Sequence, residues 1–520
     1  MRRRTLLAAA LAAPVVARAQ SPRSLTYVPY VDLAILDPML NTASQTRTHG
    51  YMVYDTLYGV DAQYNVRPQM VEGHVAEDDF RVWTLTLREG LRFHDGSPVL
   101  ARDVVASIKR WGAKDEFGES LLEETAELAA VSDRVLRFRM KAPFTLVPDA
   151  LGKIAPTMPA IMPERLALTD PRKAVAEIVG SGPFRFVAGE RIAGARVVYE
   201  RFADYVPRAE PASMTAGGKA VKLDRVVWQT IPDSATAAGA LLNGEVQWWD
   251  TVPPDLIAML RKDKRVRVEI KDQTGVMPVL RFNSLHKPFD AAAIRRAVLG
   301  AVDQASFMAA FSSDDSVWRA PVGAFTPGTP MGNDEGLVAR RGKPDLDAAK
   351  RAIAAAGYDG ARVVVMNPTD HPVNTVMAQM AGDLLGRLGM NVDLVSMDAG
   401  TMFQRRGNRG PVDKGGWSIF PSMVNGMDVF DPAVSFLARG NGEGAWFGWP
   451  TSPRMETLRR EWFEARQVGE RQRICREIQA QVWADAPYVP LGQIVLPTAF
   501  RADVGGIVEG FPKFWGVGRG

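Results

Sequence analysis

Apolar positions along this chain switch repeatedly between a period of two and a period of three to four residues. In residues 78–91, Phe80, Val82, Thr84 and Thr86 fall on one side and Trp83, Leu85 and Leu87 on the other. That pattern predicts a strand stopped by Glu89-Gly90. Residues 101–111 follow as a helix with Val104, Val105 and Ile108 on one face. Further strands are predicted at 24–29, before the breaker Leu36-Asp37-Pro38, and at 197–199, 226–229, 247–250 and 363–366. Helices are predicted at 51–57, 234–243, 292–302, 345–356 (closed by Gly357), 373–388 and 455–483, the last broken near Gly469. Strand and helix alternate throughout, with neither an internal repeat nor a low-complexity linker, so the fold class is α/β. Trp248 and Trp249 share one strand and point to opposite faces, so at most one of them meets a ligand.

Length and composition extend this picture. A chain of 520 residues needs more than one core, because single cores stop growing at roughly 250–300 residues. With 46% hydrophobic and 23% charged residues, extensive disorder is excluded. Arg2, Arg3 and Arg4 precede an apolar run from Thr5 to Val16 and then Ala17-Arg18-Ala19. A charged start, a short apolar stretch and an A-x-A site predict a signal peptide over 1–19. The run is shorter than the ~20 apolar residues that span a bilayer, and Arg3-Arg4-Thr5-Leu6-Leu7 resembles the twin-arginine export pattern.

Removing that segment changes the charge argument. The whole chain has 63 Lys+Arg against 59 Asp+Glu, but residues 1–19 hold four arginines and no acid. The mature chain is therefore balanced, with no electrostatic reason to expect nucleic acid as a partner. Cys475 is the only cysteine. It excludes an intrachain disulfide, and no cysteine follows the signal to carry a lipid. A freely diffusing, monomeric periplasmic protein is the expectation.

Catalytic constellations are missing from the sequence. The five histidines, His49, His74, His94, His286 and His371, have no metal-ligand spacing and no cysteine beside them. Each reads best as a lone surface or turn histidine. There is no G-x-S-x-G, no P-loop and no dinucleotide fingerprint. The expectation is a binding protein without cofactor or metal, and not an enzyme.

Several segments carry a resemblance. Tyr54-Asp55-Thr56-Leu57, the stretch WTLTLREGLRFHDG from Trp83 to Gly96, Pro98 with Ala101-Arg102-Asp103-Val104-Val105, Gly180-Ser181-Gly182-Pro183-Phe184, and Phe282-Asn283 with Pro288-Phe289-Asp290 and Ile294-Arg295-Arg296-Ala297 stand in one order along nearly the whole mature chain. Together they resemble family 5 of the bacterial extracellular solute-binding proteins, the dipeptide, oligopeptide and nickel receptors of ABC importers. Most of these motifs describe scaffold: Asp95-Gly96 suits a tight turn, Gly182-Pro183 stiffens the approach to a strand, and Asp103 starts a helix.

The resemblance implies a two-lobed periplasmic binding protein, type II and cluster C-like, with an extra subdomain in the first lobe. Lobe I is expected over 20–50, 180–272 and 480–520, the accessory subdomain over 51–179, and lobe II over 273–479. The implied function is capture of a small peptide-like or other polar solute by hinge closure, for delivery to an inner-membrane ABC permease and ATPase. The alternative is a sensor or scavenger that feeds a chemoreceptor.

The same resemblance nominates the site. Trp417, Phe420, Trp446, Phe447 and Trp449 lie in a glycine-rich stretch that reads as loop, and large aromatics on a loop suit a contact surface. Trp417, Phe420 and Trp446 are the candidates among them. Peptide receptors of the family place an acid three positions after a Trp to hold the ligand's α-amino group, where this chain has Phe420. Asp428 and Asp431 come later, Asp431-Pro432 resembling the family's structural turn, so Asp428 is the candidate acid. Asp398-Ala399-Gly400-Thr401 resembles D-W-G-T without its indole. Near the start, Thr42 and Ser44 stand where relatives line the pocket with small polar groups. Phe420 in the acid's place predicts a ligand other than a conventionally held free-amino dipeptide, because a desolvated ammonium would lack its partner.

Overall fold

Two seven-stranded sheets organise the chain in the computed structural model, which describes residues 23–520. The signal peptide expected at 1–19 lies outside the described residues. In the first sheet, Ser24–Val28 runs parallel to both Arg225–Gln229 and Trp248–Trp249, which flank it. Arg196–Arg201 and Phe184–Phe186 extend one edge, and Thr498–Arg501 and Val266–Glu269 the other. The second sheet is built around Val276–Phe282, which pairs antiparallel with Ile419–Asn425, and Arg362–Pro368 lies beyond with Asn391–Met397 parallel to it. The strands Tyr488–Pro490 and Gln493–Ile494 also pair with Val276–Phe282. The chain thus rejoins the first sheet only at Thr498, whereas the sequence expectation put the return at 480.

Between Val28 and Phe184 a separate four-stranded antiparallel sheet forms in the order Val71–Glu77, Val82–Leu87, Val135–Met140, Thr125–Ala130. Its inner face buries Trp83, Leu85 and Leu87, the set the alternating pattern assigns to one side. The strand is shorter than residues 78–91 because Asp78, Asp79 and Phe80 all adopt positive φ and turn the chain before Val82. Asp tolerates that region through its short polar side chain.

Five predicted helices form close to their expected positions: Ala101–Gly112, Ser234–Asn243, capped by the Asp233 carboxylate, Ala292–Gly300, Leu346–Ala355, capped by Asp345, and Pro372–Arg387. Two expectations fail. The helix predicted at 51–57 is Ser44–Val53, and Tyr54 is already extended. Gln45, Thr46, Arg47, Thr48 and His49 are all buried, so this helix has no polar face for periodicity to reveal. The break predicted near Gly469 falls earlier, between Pro453–Glu464 and Val468–Asp485, and Gly469 lies inside the second helix.

The sequence motifs meet in space. The His94 N–H donates to the Gly180 carbonyl at 2.8 Å, and the His94 ring Nε2 lies 3.0 Å from the Gly182 carbonyl oxygen. Both glycines press against the end of the Ser44–Val53 helix. A Cβ on Gly180 would lie 2.0 Å from the Val53 oxygen, and one on Gly182 would lie 2.6 Å from the Val53 carbonyl carbon. Glycine is needed there for close backbone approach. His49 departs from its surface expectation: it is fully buried, with Nδ1 2.8 Å from the Tyr199 hydroxyl.

Two buried ion pairs fasten the accessory subdomain to lobe I. Arg110 Nη2 lies 2.6 Å from Asp37 Oδ2, both side chains 1% exposed, and Lys219 Nζ lies 2.7 Å from Asp55 Oδ1. Contacts with lobe II are of another kind: Arg466 donates to both Asp79 oxygens at 2.7 Å, and Tyr64 packs on Phe430 with ring centroids 5.2 Å apart. Among the described residues no helix is long and apolar enough to cross a membrane.

Candidate functional site

Two adjoining cavities lie where the lobes face each other, and Met423 and Asn425 line both. The first, about 260 Å³, has Ser44, Arg47 and Thr48 on its lobe I wall and His371 and Val373 on its lobe II wall. The helix period explains the lobe I set: positions 44, 47 and 48 are one turn apart on one face. Asp250 and Phe511 also reach this cavity, the latter from the returning C-terminal segment. The second cavity, about 370 Å³, is lined by Thr42, Lys153 and Thr157 opposite Arg406, Asp428 and Trp446. Together they have the size of a small-molecule cleft.

The structure separates the six candidate residues into two groups. Thr42, Asp428 and Trp446 line the second cavity and Ser44 the first. Trp417 and Phe420 line neither. Trp417 is 1% exposed and its indole N–H donates to the Arg406 carbonyl at 3.0 Å. Phe420 lies within the strand Ile419–Asn425, not in a loop, paired with Arg281. The two rings meet edge to face at 4.9 Å and pack with Val364, Met366, Met402 and Trp449 as a small core. The glycines around them predict loop, but Gly416 is there for contact: a Cβ would sit 1.9 Å from the Gly410 oxygen. Ala399 also lies outside both cavities, and the Asp398 carboxylate caps its helix by accepting from the Thr401 N–H.

Charge in the cleft is distributed unevenly between satisfied and unsatisfied groups. In the second cavity, Asp115 is held by Lys153 and by the Thr157 hydroxyl at 2.6 Å, and also caps the helix Glu116–Glu124. Asp428 is different. Its Oδ2 accepts from the Asn425 amide at 3.1 Å, while Oδ1 is buried without a hydrogen-bond partner. Burial pushes its carboxyl above the usual carboxylate range, opposed by the charge of Arg47. Asp431, by contrast, turns the chain by accepting from the Ala433 and Val434 N–H groups, as the resemblance implied. In the first cavity, burial raises Asp250 to about 6, and its carboxylate accepts from the Tyr30 N–H at 3.2 Å.

Arg47 and Asp250 went unmarked in the sequence. No cluster of three or more His, Cys, Asp or Glu able to hold a metal ion occurs among the described residues.

Comparison with known proteins agrees with this reading. The sequence profile of the bacterial extracellular solute-binding proteins, family 5, matches residues 65–441. A probable peptide ABC transporter periplasmic-binding protein of Sinorhizobium fredii, y4tO, is 34% identical over 98% of this chain and 96% of its own. The glutathione-binding protein GsiB of Salmonella typhi is 24% identical over 88% and 86% of the two chains. In fold, the chain is similar to DppA from Helicobacter pylori, solved with the peptide STSA, with a TM-score of 0.79 at 20% identity over 96% and 98% of the chains. The chain therefore belongs to family 5 of the bacterial extracellular solute-binding proteins, two-lobed receptors that bind their solutes without transforming them.

Proposed function

We propose that this chain is the periplasmic receptor of a peptide-class ABC importer, capturing a small peptide-like solute with a free ammonium group between its lobes for an inner-membrane permease. The observation that carries the ligand class is Asp428, a buried carboxylate at the cavity wall with one oxygen unpartnered. An ammonium docked there would supply the missing donors and hold the carboxylate ionised. Trp446, beside it, offers a ring to an apolar side chain. The name of the Sinorhizobium fredii relative supports the importer assignment.

This reading replaces the expectation drawn from Phe420. That ring sits in a strand core, and Asp428, which lines the cavity after the strand has ended, is the acid we assign to the ammonium. Calorimetric titration with a dipeptide library tests the proposal. Free-amino dipeptides should bind and N-acetylated ones should not. Asp428→Asn should weaken binding by about 10- to 100-fold, the loss of a hydrogen bond to a charged group worth about 1.5–3 kcal/mol. Equal binding of acetylated and free peptides would sink the proposal.

A further inference from the structure

Every charged side chain lining the first cavity is occupied except one. Asp250 accepts from the Tyr30 N–H. Asp272 accepts from the Thr274 N–H at 2.9 Å and from its hydroxyl at 2.5 Å. Lys271 is paired with Glu269 at 3.0 Å and Glu509 at 3.1 Å. Arg47 is 6% exposed, yet its guanidinium makes no hydrogen bond or ion pair with any described residue, and its Nε is buried without an acceptor. The Phe511 ring lies 4.8 Å from the guanidinium carbon. A ring face covers the guanidinium plane and leaves its N–H edge unsatisfied.

The helix start at the same place also lacks a side-chain cap. Arg47 belongs to the first turn of Ser44–Val53, a ten-residue helix whose N-cap is Ala43, with no side-chain cap. The first N–H groups of a helix need acceptors, and the N-terminal end of the helix dipole favours negative charge. An uncapped helix start and a buried guanidinium without an anion therefore converge on one cavity wall.

We infer that Arg47 and the start of its helix form the anion-binding pole of the cleft, and that the solute carries a carboxylate bound there. This rests on the cleft being the binding site, as proposed above. With Asp428 in the adjoining cavity, the receptor reads its solute at two ends of opposite charge. Arginine's planar fork suits a carboxylate bidentately, which lysine cannot match.

The test compares dipeptides with their C-terminal amides by calorimetry, on wild type, Arg47→Met and Arg47→Lys. Amidation should weaken wild-type binding tenfold or more. It should change Arg47→Met by less than threefold, with Arg47→Lys in between. Amides that bind wild type as well as the free acids do would overturn the assignment. So would discrimination that persists in Arg47→Met and vanishes in Arg406→Met, the other guanidinium lining the cleft. If no dipeptide binds, the peptide reading fails separately. The assignment then turns on melting shifts with acetate, succinate and glutarate. Stabilisation of wild type but not of Arg47→Met supports it, and equal responses overturn it. In either case the unliganded Arg47→Met protein should melt close to wild type, since it loses a buried guanidinium that makes no hydrogen bond or ion pair. A fall of several degrees would mark Arg47 as structural.

Discussion

Replacing Trp417 with alanine separates a core role from a pocket role. The indole is buried, packs on Phe420 at 4.9 Å and on Trp449 at 5.9 Å, and donates to the Arg406 carbonyl. Removing a large aromatic from such a site costs about 3–5 kcal/mol, and the lost hydrogen bond adds about 1 kcal/mol. Unfolding entropy near 60 °C is about 2.1 cal/mol/K per residue. A loss of about 5 kcal/mol thus lowers the midpoint by about 5 °C if the chain melts as one unit. If lobe II melts alone, the drop exceeds about 10 °C, because about 200 residues carry roughly 0.4 kcal/mol/K. Differential scanning calorimetry of the unliganded protein reads this directly, and ligand titration at low temperature should give an affinity within a few-fold of wild type. An unchanged melting point together with lost binding would refute the reasoning and return Trp417 to the pocket.

Lys219→Met should cost about 3–5 kcal/mol in denaturant unfolding, because it leaves the buried Asp55 carboxylate without its cation; combining it with Asp55→Asn should recover part of that loss. His49 is held down to about 3 by burial, so the folded protein keeps it neutral while the unfolded chain protonates it below about 6.5. Its contribution is present above that pH and is lost as pH falls toward 3. The stability advantage of wild type over His49→Phe should therefore narrow by at most about 1.4 kcal/mol per unit across that window. A gap that stays constant between pH 6.5 and 4 would show that His49 is not neutral in the native state.

Scaffold was legible in the sequence wherever local chemistry and burial agreed. The alternation around Trp83 reports a half-buried strand, and Asp233 and Asp345 announce their helices by capping them. The pattern failed where buried residues are polar. The helix Ser44–Val53 encloses Thr46, Arg47, Thr48 and His49 in protein, and nothing in their hydrophobicity marks it. Among the site candidates, Thr42, Ser44, Asp428 and Trp446 lie in the cleft, and two of them, Thr42 and Ser44, came from position relative to the resemblance. Trp417 and Phe420 were nominated because aromatics among glycines look like a loop. Glycines that permit close backbone approach inside a packed lobe produce the same composition. Arg47 was invisible because its significance is a missing partner, and partners exist only in three dimensions.

The kinds of contact made by the accessory subdomain decide how the cleft opens. Toward lobe I it is tied by Asp37–Arg110 and Asp55–Lys219, pairs whose disruption costs about 3–5 kcal/mol each. Toward lobe II its ion pairs, Arg466–Asp79 and Arg439–Glu116, are partly exposed; such pairs are worth about 0–1 kcal/mol. Opening should therefore break the second set, together with ring contacts such as Tyr64–Phe430 and Phe117–Phe463, and leave the first intact, so that the subdomain travels with lobe I. The second cavity straddles this moving boundary, with Lys153 and Thr157 on one side and Asp428 and Trp446 on the other. A solute bound there should hold the two sides together, and it can shift the equilibrium only by its differential affinity for the closed form. Amide exchange measured with and without ligand should show new protection across 425–436 and 463–471, and little change around Asp37 and Arg110. Protection that instead rises between the subdomain and lobe I would place the hinge elsewhere. Asp79→Ala should change the ligand's Kd by no more than a few-fold, since the exposed pair it removes contributes so little to closure.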